Sequence, residues 1–442
     1  MLLKIIISVS IICFLLIFGS VLWYYWYLFP PSFIDVVRDV RDNVFGLIPS
    51  APQDPDAPTK YSIVDTDFRI EVYASGLHQP TAMEFLGDDI IVLEKNNGKV
   101  LLIQYDPLGG GGRVNDKPLL DFNVNSYWES GLLGVTVNGN DVYFYLTEAE
   151  EDGGERIGNN IYQFYWDGEN FTDKYLVNSL GLDQIWHNGG AMTTGLDGQV
   201  YAVIGDQGAG LEDSKITPTL AQNSNEGEFN DTGVIIKVGL DKEIIKPKNS
   251  ENPLEHYYAI GIRNSFGLTI DPVTGNLWET ENGPENFDEV NLVPKNFNSG
   301  WAVAMGPASE EERAKILNFN KYTYEDPKFS WEAPVAPTGL VFTNSESFDK
   351  YRNGLFVATC TGEIYKFKLN ENRDNFIFDS PHLQDLVANF VKNESGKNVV
   401  ESLDEIEFGN GFGCITDLKF GPDGNLYIVS LSDNVIYRVI PK

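Results

Sequence analysis

The sequence predicts an all-β protein, a six-bladed β-propeller preceded by an N-terminal transmembrane helix. Two observations carry the propeller. A strand–turn–strand pattern recurs six times after residue 68, and the composition is rich in glycine (42) and aromatics (13%) but poor in methionine (4). Such a composition suits pleated strands and tight turns better than helices. A third observation, an uncharged apolar run near the start, carries the membrane helix.

Residues 1–30 read as a transmembrane anchor. After Lys4 comes IIISVSIICFLLIFGSVLWYYWYLF, without a charge, long enough for a hydrocarbon core of about 30 Å. Its WYYWYLF end suits an interfacial aromatic belt. No A-x-A cleavage site follows, which favours an uncleaved anchor over a signal peptide. The expected location is the cell membrane, single-pass, with the C-terminal domain extracytoplasmic. Residues 31–66 read as a juxtamembrane amphipathic helix followed by the Pro/Asp-rich stalk PSAPQDPDAPTKYSIVDT.

Residues 67–442 hold the repeats: AMEFLGDDIIVLEKNNGKVLLI (82–103), GVTVNGNDVYFYLTEAE (134–150), AMTTGLDGQVYAVIGDQG (191–208), GLTIDPVTGNLWETENG (267–283), GLVFTNSESFDKYRNGLFVATCTGEIYKFKL (339–369) and DLKFGPDGNLYIVSLSDNVIYRV (417–439). Gly, Asp and Asn stand where hairpin turns need them. Six such units, each a sheet that must cover its faces with neighbours, imply radial repetition. A jelly roll or sandwich pair would not predict six similar hairpins. Helical patterning past residue 68 is confined to 309–317 and 382–391, read as insertions. A net charge of −32 excludes nucleic acid as a partner, since phosphate would be repelled.

In a propeller the loops at one end of the channel converge, so polar stretches flanking the hairpins can form one site. These are WESGLLGV (128–135), IWHNGGAM (185–192), GDQG (205–208), YAIGIRNSFGL (258–268), TENGPENFDEVNLV (280–293) and FSWEAPVAPTGL (329–340). One of only four histidines, His187, sits before Asn-Gly-Gly, where glycines permit close approach of backbone or ligand. An imidazole there suits proton transfer near neutral pH. His78, His256 and His382 sit in no such setting. Taken singly, Asp206 reads as a turn residue, Arg263 as half of a surface ion pair, Gly283-Pro284 as a tight turn, and Asp288 and Glu289 as a solvated acidic loop.

The ordered set GLLG, HNGG, GDQG, G-x-RN-x-x-GL, E-x-GP-x-x-x-DE-x-N and AP-[ST]-G, over about residues 68–440, resembles the glucose/sorbosone dehydrogenase family, soluble pyrroloquinoline quinone (PQQ)-dependent aldose dehydrogenases with a six-bladed propeller. The resemblance implies that His187 is the general base for the sugar C1 hydroxyl while hydride passes to the quinone, and that Asp206 orients and polarises it. It places Arg263 against the quinone carbonyls, Asn264 on the cofactor and Glu129 near sugar and cofactor. Trp331 would stack on the quinone or cover the pocket. The carbonyls of Gly283 and Pro284 would hold the cofactor's Ca²⁺. The implied partners are a small-molecule sugar and an external electron acceptor.

The sequence departs from the family where a Lys and two Arg pair with the PQQ carboxylates. Thr361, Cys414 and Thr416 occupy those positions, and the next cations are Lys366 and Lys419. Thr361 is retained as the residue facing that end of the cofactor. The missing bonds would cost roughly 1.5–3 kcal/mol each. Cys360 and Cys414 fall in this region on neighbouring blades, facing each other as a disulfide or as soft ligands for a metal such as copper, or standing as two small buried side chains. Two alternatives to the dehydrogenase remain: a non-catalytic carbohydrate- or partner-binding propeller that has lost PQQ, and a Ca²⁺-dependent lactonase-like hydrolase using Glu129 and Asp206.

Overall fold

The computed structural model describes residues 61–442 apart from 107–109, 182–184, 210–216, 241–243, 318, 320 and 394. The anchor expected at 1–30 and nearly all of the 31–66 stalk lie outside the described residues. Among the described residues no helix is long and apolar enough to cross a membrane.

The fold is an all-β propeller. Its antiparallel sheets follow one another along the chain, each running outward from an inner strand. The first contains Pro80–Leu86, Asp89–Glu94, Lys99–Asp106 and Gly111–Val114. The second contains Leu132–Asn138, Asp141–Ala149, Arg156–Trp166 and Phe171–Leu180. The third begins with Met192–Thr194, Val200–Ile204, Val234–Lys237 and Tyr257–Ile260, and two short parallel strands extend it. The fourth contains Ser265–Ile270, Leu277–Glu281, Asp288–Val293 and Phe329–Trp331, with Val387–Ala388 parallel at its edge. The fifth contains Pro337–Phe342, Gly354–Thr359, Ile364–Lys368 and Glu407–Asn410. In the last, Ile415–Phe420, Leu426–Ser430 and Val435–Pro441 are completed by the N-terminal strand Phe68–Ser75, paired Phe68 to Pro441 and Val72 to Tyr437.

The inner strands pack in a closed ring, the last against the first. Threonines stitch this ring. Thr81 Oγ1 donates to Leu132 O, Thr136 meets Thr194, Thr280 donates to Thr338 O, Thr338 to Ile415 O and Thr416 to Pro80 O. Close approach also needs glycine. A Cβ on Gly134 would lie 1.8 Å from Gly190 O, and one on Gly267 2.1 Å from Thr338 O. A sandwich has no such ring.

The hairpins fall where the sequence places them, because alternating apolar residues bury between adjacent sheets. Tyr143, Ile161, Val200 and Ile236 share one such layer, and Phe329, Trp331, Tyr365 and Phe367 another. The insertion near 309–317 is a helix, Glu310–Lys315, with Ser309 and Glu312 forming a capping box. The helix expected at 382–391 is not present. A single 3-10 turn, Pro381–Leu383, leads into the strands Val387–Ala388 and Phe390–Lys392. Val387 and Ala388 pair with Ser330 and Trp331, so a sheet edge claims the backbone a helix would use. Within the stalk region, Ser62 and Ile63 pair with Asn410 and Gly409 and so belong to the fifth sheet.

Candidate active site

His187 sits in a short loop whose conformation explains its neighbours. Its own φ is 52°, and Gly189 and Gly190 follow at 67° and 109°. A Cβ on Gly189 would lie 2.3 Å from Val203 O, and one on Gly190 2.5 Å from Leu133 Cβ, so only glycine fits. Asn188 is buried, its Oδ1 accepting from Asn159 Nδ2 and its backbone carbonyl from the Tyr145 hydroxyl. The HNGG stretch is therefore a rigid seat for the imidazole and not a surface turn. His187 is 5% exposed.

Two carboxylates hold that histidine. The Glu129 carboxylate accepts its backbone N–H at 2.5 Å, and Asp206 Oδ1 lies 2.5 Å from Nδ1. The other ring nitrogen, Nε2, is left to exchange a proton. Asp206 is fully buried and also accepts from the Gly208 N–H (2.7 Å) and from Trp301 Nε1 (2.6 Å). Its own N–H donates to Arg263 O at 2.8 Å. These donors fix the carboxylate in place, the condition for orienting an imidazole. Burial pushes the Glu129 carboxyl above its ordinary range, against the opposing pull of His187 and Arg263.

Arg263 forms the opposite wall. Burial pushes its guanidinium down while Asp206, Glu281, Glu129 and Asp288 push it up, so it is a cation among carboxylates. Its backbone N–H donates to Glu281 at 2.6 Å, and Nη1 donates to Asn282 O (2.6 Å) and Gly283 O (2.9 Å). The guanidinium lies 5.3 Å from the Trp301 ring centre. Arg263 Nε and Asn264 Oδ1 are buried without a partner. Unsatisfied polar atoms at such depth are costly, and a bound ligand carrying carbonyl and N–H or O–H groups would satisfy them.

The structure thus brings together His187, Asp206, Arg263, Asn264 and Glu129. Trp331 is elsewhere. It is fully buried against Phe329 (5.0 Å) and Tyr365 (5.4 Å) in the core between sheets, so it neither stacks on a ligand nor covers a pocket. The tryptophan at the site is Trp301, which follows Asn298-Ser299-Gly300. That polar, glycine-containing stretch after a repeat carries the signal that singles out the other loops. Asp288 and Glu289 are also corrected. Both are about 1% exposed. Asp288 accepts the N–H groups of Gly283 (2.8 Å), Val335 (2.6 Å) and Ala336 (2.8 Å), tying two loops together. Glu289 accepts from Asn291 and from the Gly306 N–H.

The fit to the expected cofactor divides in two. Arg263, Asn264 and the His187–Asp206 pair suit the reacting, carbonyl-bearing edge of a quinone. The carboxylate end finds no side-chain cation at the expected positions. Thr361 Oγ1 lies 2.9 Å from Val335 O and 2.6 Å from Glu363, Thr416 donates to Pro80 O, and Cys414 is joined to Cys360 in a disulfide. Lys366 Nζ donates to the carbonyls of Glu405 and Glu407, and Lys419 pairs with Glu84. The calcium expectation also meets an obstacle. Gly283 O accepts from the Arg263 guanidinium, whose charge disfavours a cation at the same oxygen. Among the described residues no three His, Cys, Asp or Glu side chains gather as a metal site. A cleft of about 280 Å³ lies on the fifth sheet, lined among others by Lys350, Arg352, Lys366 and Lys368. Three of its cations are committed, Lys350 to Asp65 and Asp67, Arg352 to Asp349, and Lys366 to the two carbonyls.

Comparison with known proteins shows the family and the fold. The Glucose / Sorbosone dehydrogenase family profile matches residues 77–438. An aldose sugar dehydrogenase of Escherichia coli is 24% identical over 84% of this chain and 93% of its own length. Quinoprotein glucose dehydrogenase B of Acinetobacter calcoaceticus is 27% identical over 57% of this chain and 56% of its own. The PQQ-bound aldose sugar dehydrogenase of Streptomyces coelicolor has the same fold, with a TM-score of 0.58 at 19% identity over 86% of this chain and 99% of that one.

Proposed function

The chain belongs to the Glucose / Sorbosone dehydrogenase family, and from that premise we propose that it is a six-bladed propeller oxidoreductase that oxidises the C1 hydroxyl of an aldose. The observation that carries the reading is the buried His187–Asp206 pair beside Arg263. Asp206 holds Nδ1, so Nε2 takes the C1 hydroxyl proton, and Trp301 and Gly208 keep Asp206 from turning away. Arg263 and Asn264 hold the carbonyl edge of a PQQ-type quinone. That group, when bound, supplies the two-electron acceptor for the C1 hydride, and an external acceptor reoxidises it. A pure binding module has no evident need for so deeply seated a base. The hydrolase reading loses its ligand set, because the oxygens of Asp206 are taken by protein donors and Glu129 holds the His187 backbone.

The apolar run at 5–29 supports a membrane anchor with the propeller on the extracytoplasmic side, where a Cys360–Cys414 disulfide would persist. The deciding experiment titrates the domain from residue 61 with PQQ and Ca²⁺, followed by absorbance, then measures dye reduction with a panel of aldoses. Saturable binding and sugar-dependent reduction, lost in His187→Ala, support the dehydrogenase and show that the Lys/Arg trio is dispensable. No binding at tens of micromolar PQQ overturns the quinone, and a different ligand must then satisfy Arg263 and Asn264.

A further inference from the structure

Two tryptophans stand directly beside the residues that hold the base. Trp128 precedes Glu129 and Trp186 precedes His187, and the Glu129–His187 backbone bond joins the two loops at this point. Their rings lie 4.5 Å apart, tilted by 38°, and Tyr127 adds an edge at 6.0 Å from Trp128. Trp128 is 55% exposed despite these ring contacts. Its φ is 51°, a left-handed conformation that is an outlier for a bulky residue, and His187 shares it at 52°. Strain of this kind concentrates at ligand sites.

We propose that Trp128 and Trp186 form a stacking platform at the mouth of the His187 site, and that it binds the second ring of a neutral oligosaccharide whose terminal aldose reacts at His187. The proposal rests on the sugar dehydrogenase reading for the identity of the reacting unit. An indole face carries negative potential and attracts the polarised C–H groups on the flat side of a pyranose. The two indoles pack against each other, so Trp186 steadies Trp128, and the exposed part of Trp128 is the surface offered to a sugar ring. The two tryptophans adjoin Glu129 and His187 in the chain, and the bond between those residues joins their loops, so a sugar seated on the indoles stands beside the base. The surroundings select for charge. Glu129 is one residue away, and the loop carrying Glu150, Glu151, Asp152 and Glu155 packs on Asn123–Asn125 through the Asn123–Glu150, Val124–Asp152 and Asn125–Gly154 bonds. Uronate or sulfated chains would be repelled by these carboxylates and by a net charge of −32.

The test begins with the full domain free of cofactor, titrated with glucose, cellotriose, maltotriose and trigalacturonate while tryptophan fluorescence and calorimetric heat are followed. The neutral trisaccharides are expected to bind at least tenfold more tightly than glucose, and trigalacturonate not to bind. Trp128→Ala should remove most of that preference, and Trp128→Phe, which keeps a ring, should restore part of it. With PQQ loaded, the ratio of kcat/KM for trisaccharide over glucose should fall by about the same factor in Trp128→Ala. Equal affinity for glucose and both trisaccharides in the unaltered protein overturns the platform, as does a preference undiminished in Trp128→Ala and Trp186→Ala. Trisaccharide binding that needs Trp128, without oxidation of any sugar, upholds the platform and overturns the dehydrogenase. Glucose oxidation that needs His187, without any trisaccharide preference, does the reverse.

Discussion

His187 is defined by what its two nitrogens are free to do. Asp206 claims Nδ1, and three further contacts claim Asp206: the Gly208 N–H, Trp301 Nε1 and, through its own backbone N–H, Arg263 O. Replacing Asp206 by Asn keeps the shape but removes the charge that stabilises an imidazolium. The expected outcome is a fall in kcat of about 10²–10⁴-fold, the usual worth of a positioned base, with KM for the sugar nearly unchanged. Trp301→Phe removes one donor of 2.6 Å and leaves the ring beside Arg263. It should lower kcat by about tenfold, the scale of one hydrogen bond to a charged group. Steady-state dye reduction distinguishes the two. A Trp301→Phe loss as large as that of Asp206→Asn would mean that Trp301 positions more than the carboxylate.

Among the elements, hairpins were legible because each leaves local marks: alternating apolar residues and a Gly, Asp or Asn turn. Asp206 and Arg263, which taken singly read as a turn residue and half of a surface ion pair, were picked out with His187 only by the ordered set of glycine-bearing loops that resembles the family. Trp331 and Trp301 could not be told apart this way. Both lie near a strand end among polar residues, and only the packing of Phe329, Tyr365 and Phe367 around the first decides which is core. The same limit hid the burial of Asp288 and Glu289, whose partners come from residues up to 48 positions away. The 382–391 segment has helical spacing, yet a neighbouring sheet edge recruits it. The Cys360–Cys414 link joins the fifth sheet's turn to the start of the last sheet across 54 residues. Closing a loop of that size is worth up to about 4 kcal/mol through the unfolded chain. Cys360 is exposed to reductant. Dithiothreitol, or Cys360→Ser with Cys414→Ser, should lower Tm by several degrees. An unchanged Tm, or two free thiols in the unfolded, unreduced domain, would contradict the link.

At the scale of the whole molecule, a propeller buries its sheets' faces, and here one buried face is acidic. Glu281 pairs in register with Glu289, and Glu279 with Asn291, so three carboxyls share one side of the fourth sheet, all within about 1% exposure. Burial raises all three above the ordinary carboxylate range, Glu281 to about 7 and Glu289 to about 8. In the unfolded chain the same groups titrate near about 4.3. Between that value and 7 to 8 the folded protein therefore holds more protons than the unfolded chain, so stability falls as pH rises through this window. Below it both states are protonated, and above it Glu281 and Glu289 are ionised in both, so that pair contributes no slope at either end. The remaining surface carboxylates push the same way, because a net charge of −32 repels itself more strongly as they ionise. Tm should therefore be highest near pH 5 and decline toward pH 8. A double variant, Glu281→Gln with Glu289→Gln, keeps the hydrogen-bond acceptors for Arg263 N–H, Ser299 and Gly306 while removing the titration. It leaves the surface charge and Glu279 in place, so whatever decline persists belongs to those, and the difference between the two curves belongs to the Glu281–Glu289 pair. A Tm that rises from pH 5 to 8 in the unaltered protein would mean that these carboxyls are ionised inside the fold, with the pull of the Arg263 guanidinium on Glu281 outweighing burial.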